Sequence, residues 1–236
     1  MEGPVILALG GSLLRPEMTE RHQWLESVRD VIANHVANGG RIGLVIGGGA
    51  PAREAIDLAK PIIDDVAALD EIGIAATRLN ATVVSQMLES AGIDVCPGIP
   101  SDTNSAARAL NAHAVVVMGG TRPGHTTDNV AIRLAIESKA TRCLIATNVS
   151  KVHDKDPSEH ADARPIDYMT LQELQKIVGP PIHGAAGTSA VIDPIGVQAA
   201  IDHSLALAVL DGGQVDRLAA ALAGESFHGT IIEVGE

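Results

Sequence analysis

The sequence predicts an α/β protein in which helices cover both faces of a mainly parallel sheet. Short, continuous apolar runs alternate with longer stretches of helical spacing, which is typical of parallel strands joined by crossover helices. Several of the runs end in glycine pairs or triplets, as strand-to-helix turns often do. The 236 residues, 46% of them hydrophobic and 19% charged, are enough for a large buried core.

The strands and helices can be placed in order along the chain. Trp24, Val28, Val31 and Val36 have helical spacing before the glycine pair at 39–40, and Pro51 suits the first turn of the next helix. The predicted strands are residues 5–9, 42–46, 93–96, 114–118, 143–146, 205–210 and 229–234. The predicted helices are residues 19–38, one from about 51, 66–91 with an interruption near Gly73, 105–110, 127–138, 171–177, 193–203 and 215–222.

Composition excludes several classes of function. Seventeen basic and twenty-nine acidic residues give a net charge of −12, which opposes general nucleic-acid binding. Trp24, Tyr168 and Phe227 are too few aromatic residues for a base-stacking surface. Cys96 and Cys143 cannot build a disulfide framework and fit a reducing cytoplasm, and no apolar run approaches the roughly 20 residues that span a bilayer. We expect a cytoplasmic protein without nucleic-acid or membrane partners.

Three of the predicted strands end in the glycine turns Gly10-Gly11, Gly47-Gly48-Gly49 and Gly119-Gly120. Such turns expose backbone N–H groups to an anion beyond the carboxyl ends of parallel strands, where the following helix adds a positive N-terminus. One glycine turn could simply reverse the chain; three at equivalent positions favour an anion site. The GxxxxGK[ST] and strand-linked GxGxxG patterns are absent, which argues against P-loop and common dinucleotide folds.

The most polar of these turns is residues 119–128, Gly-Gly-Thr-Arg-Pro-Gly-His-Thr-Thr-Asp. Thr126 or Thr127 could cap the next helix and could equally donate to a phosphate. Three threonines, an arginine and a histidine within so few positions exceed what capping requires. The polar segment 150–167 is predicted to be a functional or mobile loop.

Taken together, these segments resemble the amino-acid kinase family, and within it the archaeal type of uridylate (UMP) kinase. The resemblance covers essentially the whole chain, and its most specific part is residues 119–128. The matching segments are residues 8–12, 45–49 with Arg53, 70–74, 77–81, 119–128, 147–149, 156–157 and 189–194.

The resemblance implies a three-layer α/β/α sandwich formed by residues 1–236 as one domain. About 1–140 would hold the phosphate acceptor and about 141–236 would hold ATP with Mg²⁺. It implies transfer of the ATP γ-phosphate to UMP in pyrimidine nucleotide synthesis by a homo-oligomer, usually a hexamer. The implied UMP residues are Gly48, Asp70, Thr121, Arg122, Pro123, Gly124, His125, Thr126 and Thr127. The implied ATP residues are Gly10, Gly11, Ser12, Gly49, Arg53, Thr147, Asn148, His153 and Asp156.

Phosphoryl transfer depends on alignment and charge neutralisation, so the candidate catalytic residues are those that could supply either. Arg53 could reach phosphate oxygens from one helical turn after Gly49, and Asp128 could organise nearby N–H groups or cations. Lys151 is the third candidate. It lies in a loop that departs from the family pattern Asn-Val-Asp-Gly-Val-Tyr, and we hypothesise that it replaces family lysines absent here, where Ala8 and Gln198 stand.

Two other functions remain open on the sequence alone. Another phosphotransferase of the same fold could act on a carboxylate, a carbamate or a different monophosphate. The altered loop at 148–153, where His153 replaces the family tyrosine, could instead belong to a non-catalytic nucleotide- or oxyanion-binding or storage protein. No His or Cys spacing typical of a metal site is found, so no metal ligand is predicted among the side chains.

Overall fold

A computed structural model of the chain describes residues 3–14, 20–157, 159–182 and 191–235. The strands are β1 Val5–Leu9, β2 Ile42–Ile46, β3 Val115–Met118, β4 Cys143–Thr147, β5 Tyr168–Thr170, β6 Leu207–Asp211 and β7 Gly229–Glu233. The helices are α1 Arg21–Ala37, α2 Gly49–Ala59, α3 Val66–Ser90, α4 Thr103–Ala109, α5 Thr127–Glu137, α6 Leu171–Val178, α7 Pro194–Asp202 and α8 Val215–Ala223. A 3-10 turn at Gly11–Leu14 follows β1. None of the described helices is both long and apolar enough to cross a bilayer.

The strands form one sheet in the order β3-β2-β1-β4-β6-β7-β5. The first five strands of this order are parallel, β7 runs antiparallel to β6, and β5 pairs parallel with β7. In register, Leu9 at the end of β1 lies opposite Ile46 and Ala146, and Thr147 lies opposite Asp211. The carboxyl ends of the parallel strands therefore meet along a single edge of the sheet.

Both faces of the sheet are buried, which explains why its strands are continuous apolar runs rather than alternating ones. In β1, Ile6 and Ala8 face a core shared with α4, α5, α6 and α7. Val5, Leu7 and Leu9 face a second core shared with α1, α3 and α8. Helices thus pack on both faces of a central sheet. The predicted mainly parallel α/β/α architecture is confirmed.

Two of the predicted elements are wrong. Residues 93–96 form no strand, because Val95 makes only an isolated bridge to Val115 and the following Pro97 has no N–H with which to extend the ladder. Helix α3 is not interrupted at Gly73. A Cβ at that position would lie 3.3 Å from Ile56 Cδ1, so the glycine allows α2 and α3 to pack closely without breaking α3.

One strand was missed. Strand β5 spans three residues, Tyr168–Thr170, with a single buried side chain, and is too short to show an apolar pattern. It directly precedes α6, whose N-cap Thr170 forms a reciprocal capping box with Glu173.

Candidate active site

The glycine turns after β1 and β2 touch each other directly through their backbones. A Cβ on Gly11 would lie 2.1 Å from Gly49 N and 2.7 Å from Gly47 C. A Cβ on Gly49, whose φ is +60°, would lie 2.1 Å from Gly11 O. No side chain fits between the two turns, so glycine is required on both sides. The sequence prediction that these turns lie together at one edge is confirmed.

Helix α3 holds two of the glycine turns from one side. The Asn80 side-chain amide donates to Gly47 O and Gly48 O, both at 2.9 Å. The Thr77 hydroxyl accepts from Gly120 N at 2.7 Å and donates to Ile74 O. Because Asn80 and Thr77 are both buried, they fix the backbone after β2 relative to the backbone after β3. Neither residue was predicted as a site residue, although both lie within the family-like segment 77–81.

Asp70, on the same helix, fastens the polar turn 119–128. Its Oδ2 atom accepts from Gly124 N at 2.7 Å, while Arg122 Nε donates to His125 Nε2 at 2.9 Å. Asp70 and the predicted UMP turn are therefore adjacent. Thr121, Pro123 and Thr127 are half-buried in this turn.

Thr126 joins the polar turn to a second helix N-terminus. Its hydroxyl accepts from Asn129 N at 3.3 Å as the N-cap of α5, and donates to Asp193 Oδ2 at 2.8 Å. Asp193 in turn caps α7 by accepting from Ile195 N at 2.8 Å and from Gly196 N at 3.3 Å. Asp193 was also missed as a site residue. Its position directly before Pro194 marked a helix start, but its bond to Thr126 spans 67 residues of chain. The family-like residues 189–190 lie outside the described residues.

Asp128 lies in the first turn of α5, next to this network. Burial raises the pKa of its carboxyl to about 7, and the neighbouring Asp193 carboxylate adds to the effect. The Asp128 carboxyl is therefore partly protonated near neutral pH. Asp193 accepts hydrogen bonds from two backbone N–H groups and one hydroxyl.

The turns after β4 and β6 extend the same edge. Thr147 lies in register with Asp211, and Thr147 Oγ1 donates to Asn148 Oδ1 at 3.2 Å. Asp211 Oδ1 accepts from Gly213 N at 2.9 Å. The pair Gly212-Gly213 is a fourth glycine turn at a parallel strand end. Gly212-Gly213 follows a predicted apolar strand, as the other three glycine turns do, but it was not predicted to be an anion-binding turn.

The only tryptophan of the chain supports this fourth turn. Trp24 Nε1, in the first turn of α1, donates to Gly212 O at 2.8 Å. A Cβ on Gly212 would lie 2.5 Å from Leu13 Cδ1, so the turns after β1 and β6 are also packed against each other.

The described residues between 150 and 167 are irregular but are joined by hydrogen bonds and ion pairs. Lys151 pairs with Asp167, and its side chain is only 13% exposed. His153 Nδ1 lies 3.1 Å from Lys151 O, and His153 forms a bridge with Pro165. Asp156 begins a turn, with its carbonyl oxygen accepting from His160 N at 2.9 Å.

The structure thus brings most of the predicted residues to one edge of the sheet. The turns that carry Gly10, Gly11, Ser12, Gly48 and Gly49 lie at this edge together with Asp70 and residues 121–128. Arg53 is exposed in the first part of α2. The roles of Arg53, Asp128 and Lys151 in chemistry stay predictions.

Comparison with known proteins identifies close similarity over nearly the whole chain. The model of the "Amino acid kinase family" matches residues 3–211. A uridylate kinase from Methanococcus aeolicus is 36% identical over 97% of this chain and 98% of its own length. The crystal structure of uridylate kinase from Archaeoglobus fulgidus superposes with a TM-score of 0.83 at 34% identity, covering 97% of this chain and 99% of that one. The UMP kinase of Bacillus anthracis, at 22% identity and a TM-score of 0.79, shares the fold.

Proposed function

This chain belongs to the amino acid kinase family, and we propose that it transfers the γ-phosphate of ATP to UMP, giving ADP and UDP. The observation that carries the proposal is the polar turn 119–128, fastened by Asp70 and Thr77 beside two glycine turns in backbone contact. Such an edge offers donors to two phosphate groups at once. The uridylate kinases of 36% and 34% identity, aligned over 97% of this chain, support UMP as the acceptor.

On the acceptor side, we assign UMP to Gly48, Asp70 and the turn from Thr121 to Thr127. Asp70 uses Oδ2 to hold Gly124 N, which leaves Oδ1 to accept a ribose hydroxyl. Arg122 provides a cation for the monophosphate, and the threonine hydroxyls and backbone N–H groups of the turn complete its hydrogen bonds. This side corresponds to the proposed acceptor lobe, about residues 1–140.

On the donor side, we assign the ATP phosphates to the turn Gly10, Gly11 and Ser12 together with Gly49. The nucleoside would lie toward Thr147, Asn148, His153 and Asp156 in the proposed ATP lobe, about residues 141–236. His153 can stack on the purine, with less area than a tyrosine.

In this arrangement, catalysis depends on neutralising the negative charge of the phosphates. Arg53 can swing back over the glycine turn and neutralise charge that develops on the transferred phosphoryl group. Lys151 would add a second cation by exchanging Asp167 for a phosphate oxygen. Asp128 would organise the N-terminus of α5, since a loose transition state asks little of a general base.

Mg²⁺ would accompany ATP. Among the described residues, no group of three or more His, Cys, Asp or Glu side chains could hold a metal ion. Mg²⁺ commonly keeps several waters and binds through substrate phosphates with few protein ligands. We therefore infer that phosphate oxygens and water supply most of its coordination, and that the ion neutralises charge on the donor phosphates.

A coupled assay of ADP release tests the activity. UMP should be the preferred acceptor among UMP, CMP, acetylglutamate and carbamate, with turnover dependent on Mg²⁺. Preference for a carboxylate or carbamate would replace UMP kinase by another phosphotransferase activity. Equilibrium binding of ATP and UMP without any turnover would contradict catalysis altogether.

We also propose that the protein is a homo-oligomer, with a hexamer as the specific expectation. Apolar side chains on and just after α2, and on α3, are unusually exposed in the single chain: Leu58 80%, Ile62 84%, Leu79 60% and Val83 52%. Light scattering on the purified protein should give a mass near six times 24.3 kDa. A mass of one chain would contradict the proposal.

A further inference from the structure

Two helix N-termini meet at the end of the polar turn 119–128, and one side chain from each joins them. Thr126 is the N-cap of α5, and Asp193 is the N-cap of α7. The Thr126 hydroxyl donates to Asp193 Oδ2 at 2.8 Å. Helix α5 belongs to the proposed acceptor lobe and α7 to the proposed ATP lobe. This hydrogen bond therefore connects the two lobes beside the residues assigned to UMP.

The Thr126 hydroxyl has no second proton to offer to a ligand. A threonine hydroxyl carries one proton and two lone pairs. The proton goes to Asp193, and a lone pair accepts from Asn129 N at 3.3 Å. Thr126 is exposed, yet it cannot donate to a phosphate while it donates to Asp193. In this arrangement Thr126 holds the turn in place, and the other donors of the turn are left for the phosphate.

Asp193 accepts hydrogen bonds at both of its carboxylate oxygens. Oδ1 accepts from Ile195 N at 2.8 Å and from Gly196 N at 3.3 Å, while Oδ2 accepts from Thr126. The residue is only 8% exposed, so an oxygen that lost its partner would be poorly hydrated. Asparagine could not make both sets of bonds, because a side-chain amide accepts on one side and donates on the other. A carboxylate is therefore required to cap α7 and to hold Thr126 at the same time.

Close packing fixes the spacing of the two helices at this point. A Cβ on Gly196, in the first turn of α7, would lie 3.2 Å from Asn129 Cα and 2.9 Å from Ile132 Cδ1. The backbone of α7 thus lies directly against α5, and a larger residue at 196 would push the helices apart. Asp193 is three residues before Gly196, so the same displacement would stretch its bond to Thr126.

We propose that Asp193 is a positioning residue for UMP, which acts through Thr126 to hold the end of the polar turn 119–128 and the start of α5 in place against α7. This inference rests on the proposed function, since it concerns the acceptor site of the same reaction. The role of Asp193 is indirect and needs no contact with UMP. Its loss leaves the donors of the turn present but free to move, so the effect should fall on UMP affinity and on KM more than on kcat.

Steady-state kinetics with varied UMP, together with calorimetric titration of UMP, test this role. Asp193→Asn should raise the KM and Kd for UMP about tenfold, as expected for loss of one hydrogen bond to a charged group, with a smaller change in kcat. Thr126→Val should have the same effect. The double variant should bind UMP no more weakly than either single variant, because both changes remove one and the same bond. Thr126→Ser keeps the hydroxyl and should recover most of the affinity that Thr126→Val loses.

Asp102 provides a matched control for Asp193. It is the N-cap of α4 and likewise accepts at both oxygens, from Ser105 N and from Ser105 Oγ, each at 2.8 Å. The first turn of α4 lies near the opposite end of α5, where Asn104 Nδ2 donates to Glu137 Oε1 at 3.5 Å. Asp102→Asn should therefore lower the Tm through loss of a helix cap and leave the KM for UMP unchanged.

Gly196→Ala tests the same connection without removing a hydrogen-bonding group. It should raise the KM for UMP by displacing α7 from α5, and it decides the question together with Thr126→Val if Asp193→Asn does not fold. An unchanged KM for UMP in the folded variants, or effects of Asp193→Asn and Thr126→Val that multiply in the double variant, would overturn the positioning role. Absence of UMP turnover in the unmodified protein would instead contradict the proposed function.

Discussion

Replacing Gly11 by alanine should separate the two glycine turns that follow β1 and β2. The new Cβ would lie 2.1 Å from Gly49 N, whereas ordinary contacts begin near 3.4 Å, so the backbones must move apart by about 1.3 Å. Both partners are backbone atoms, and no flexible side chain can yield. A displacement of about 1 Å at reacting groups can cost about 10²-fold in rate. We therefore expect Gly11→Ala to lower kcat about a hundredfold and to destabilise the fold by about 1–3 kcal/mol.

Steady-state assays with ATP and UMP, together with a thermal melt of the same sample, measure both effects. Gly73→Ala is the matched control, since its Cβ would meet only the end of Ile56 at 3.3 Å within α3. That variant should keep its kcat and change the stability by no more than about 1 kcal/mol, because better helix propensity opposes a tighter contact with Ile56. A folded Gly11→Ala protein with unchanged kcat would refute the reasoning that close contact of these turns aligns the phosphates.

Four further results are expected. Asp70→Asn should raise the KM for UMP about tenfold with a smaller change in kcat, because a charged acceptor of the polar turn is lost. Lys151→Ala should lower kcat while Lys155→Ala should not, and an unchanged rate in the first would reject a catalytic role. Asp128 has a folded pKa of about 7 against an ordinary 3.8, so its stabilising contribution is complete below 3.8 and is lost as the pH rises to about 7. The Tm should therefore fall less between about pH 5 and about pH 8 in Asp128→Asn than in the unmodified protein. Thr126→Val should cost about 1–2 kcal/mol by calorimetry, because it removes a helix cap and the hydroxyl bonded to the α7 cap.

The sequence was sufficient for those features that depend on local pattern. The strands at 5–9 and 42–46 were placed to the residue, because continuous apolar runs bounded by glycine leave little ambiguity. The glycine turns could be expected to converge because parallel strands share one carboxyl edge. The helix predicted at 127–138 was expected to be capped by Thr126 or Thr127, and Thr126 is its N-cap.

The hydrogen bonds that assemble the site could not be predicted from the local sequence pattern. Thr77 meets Gly120 across 43 residues, and Thr126 meets Asp193 across 67, so both bonds depend on how the helices pack. The prediction of a strand at 93–96 was wrong for the same reason, because strand formation also depends on the tertiary packing. The apolar residues there are suited to a sheet, but only Val95 is bridged to a neighbouring strand. The pairing of Lys151 with Asp167 likewise depends on the path of an irregular segment.

The indole bond from Trp24 to the turn at Gly212 gives this protein a native optical reporter. With one tryptophan in the chain, indole emission has a single origin, and no background from other indoles obscures it. Nucleotide that displaces the turn would alter the polarity around the ring and shift its spectrum. Stopped-flow mixing could then follow nucleotide arrival in real time on unlabelled enzyme, separately from the chemical step.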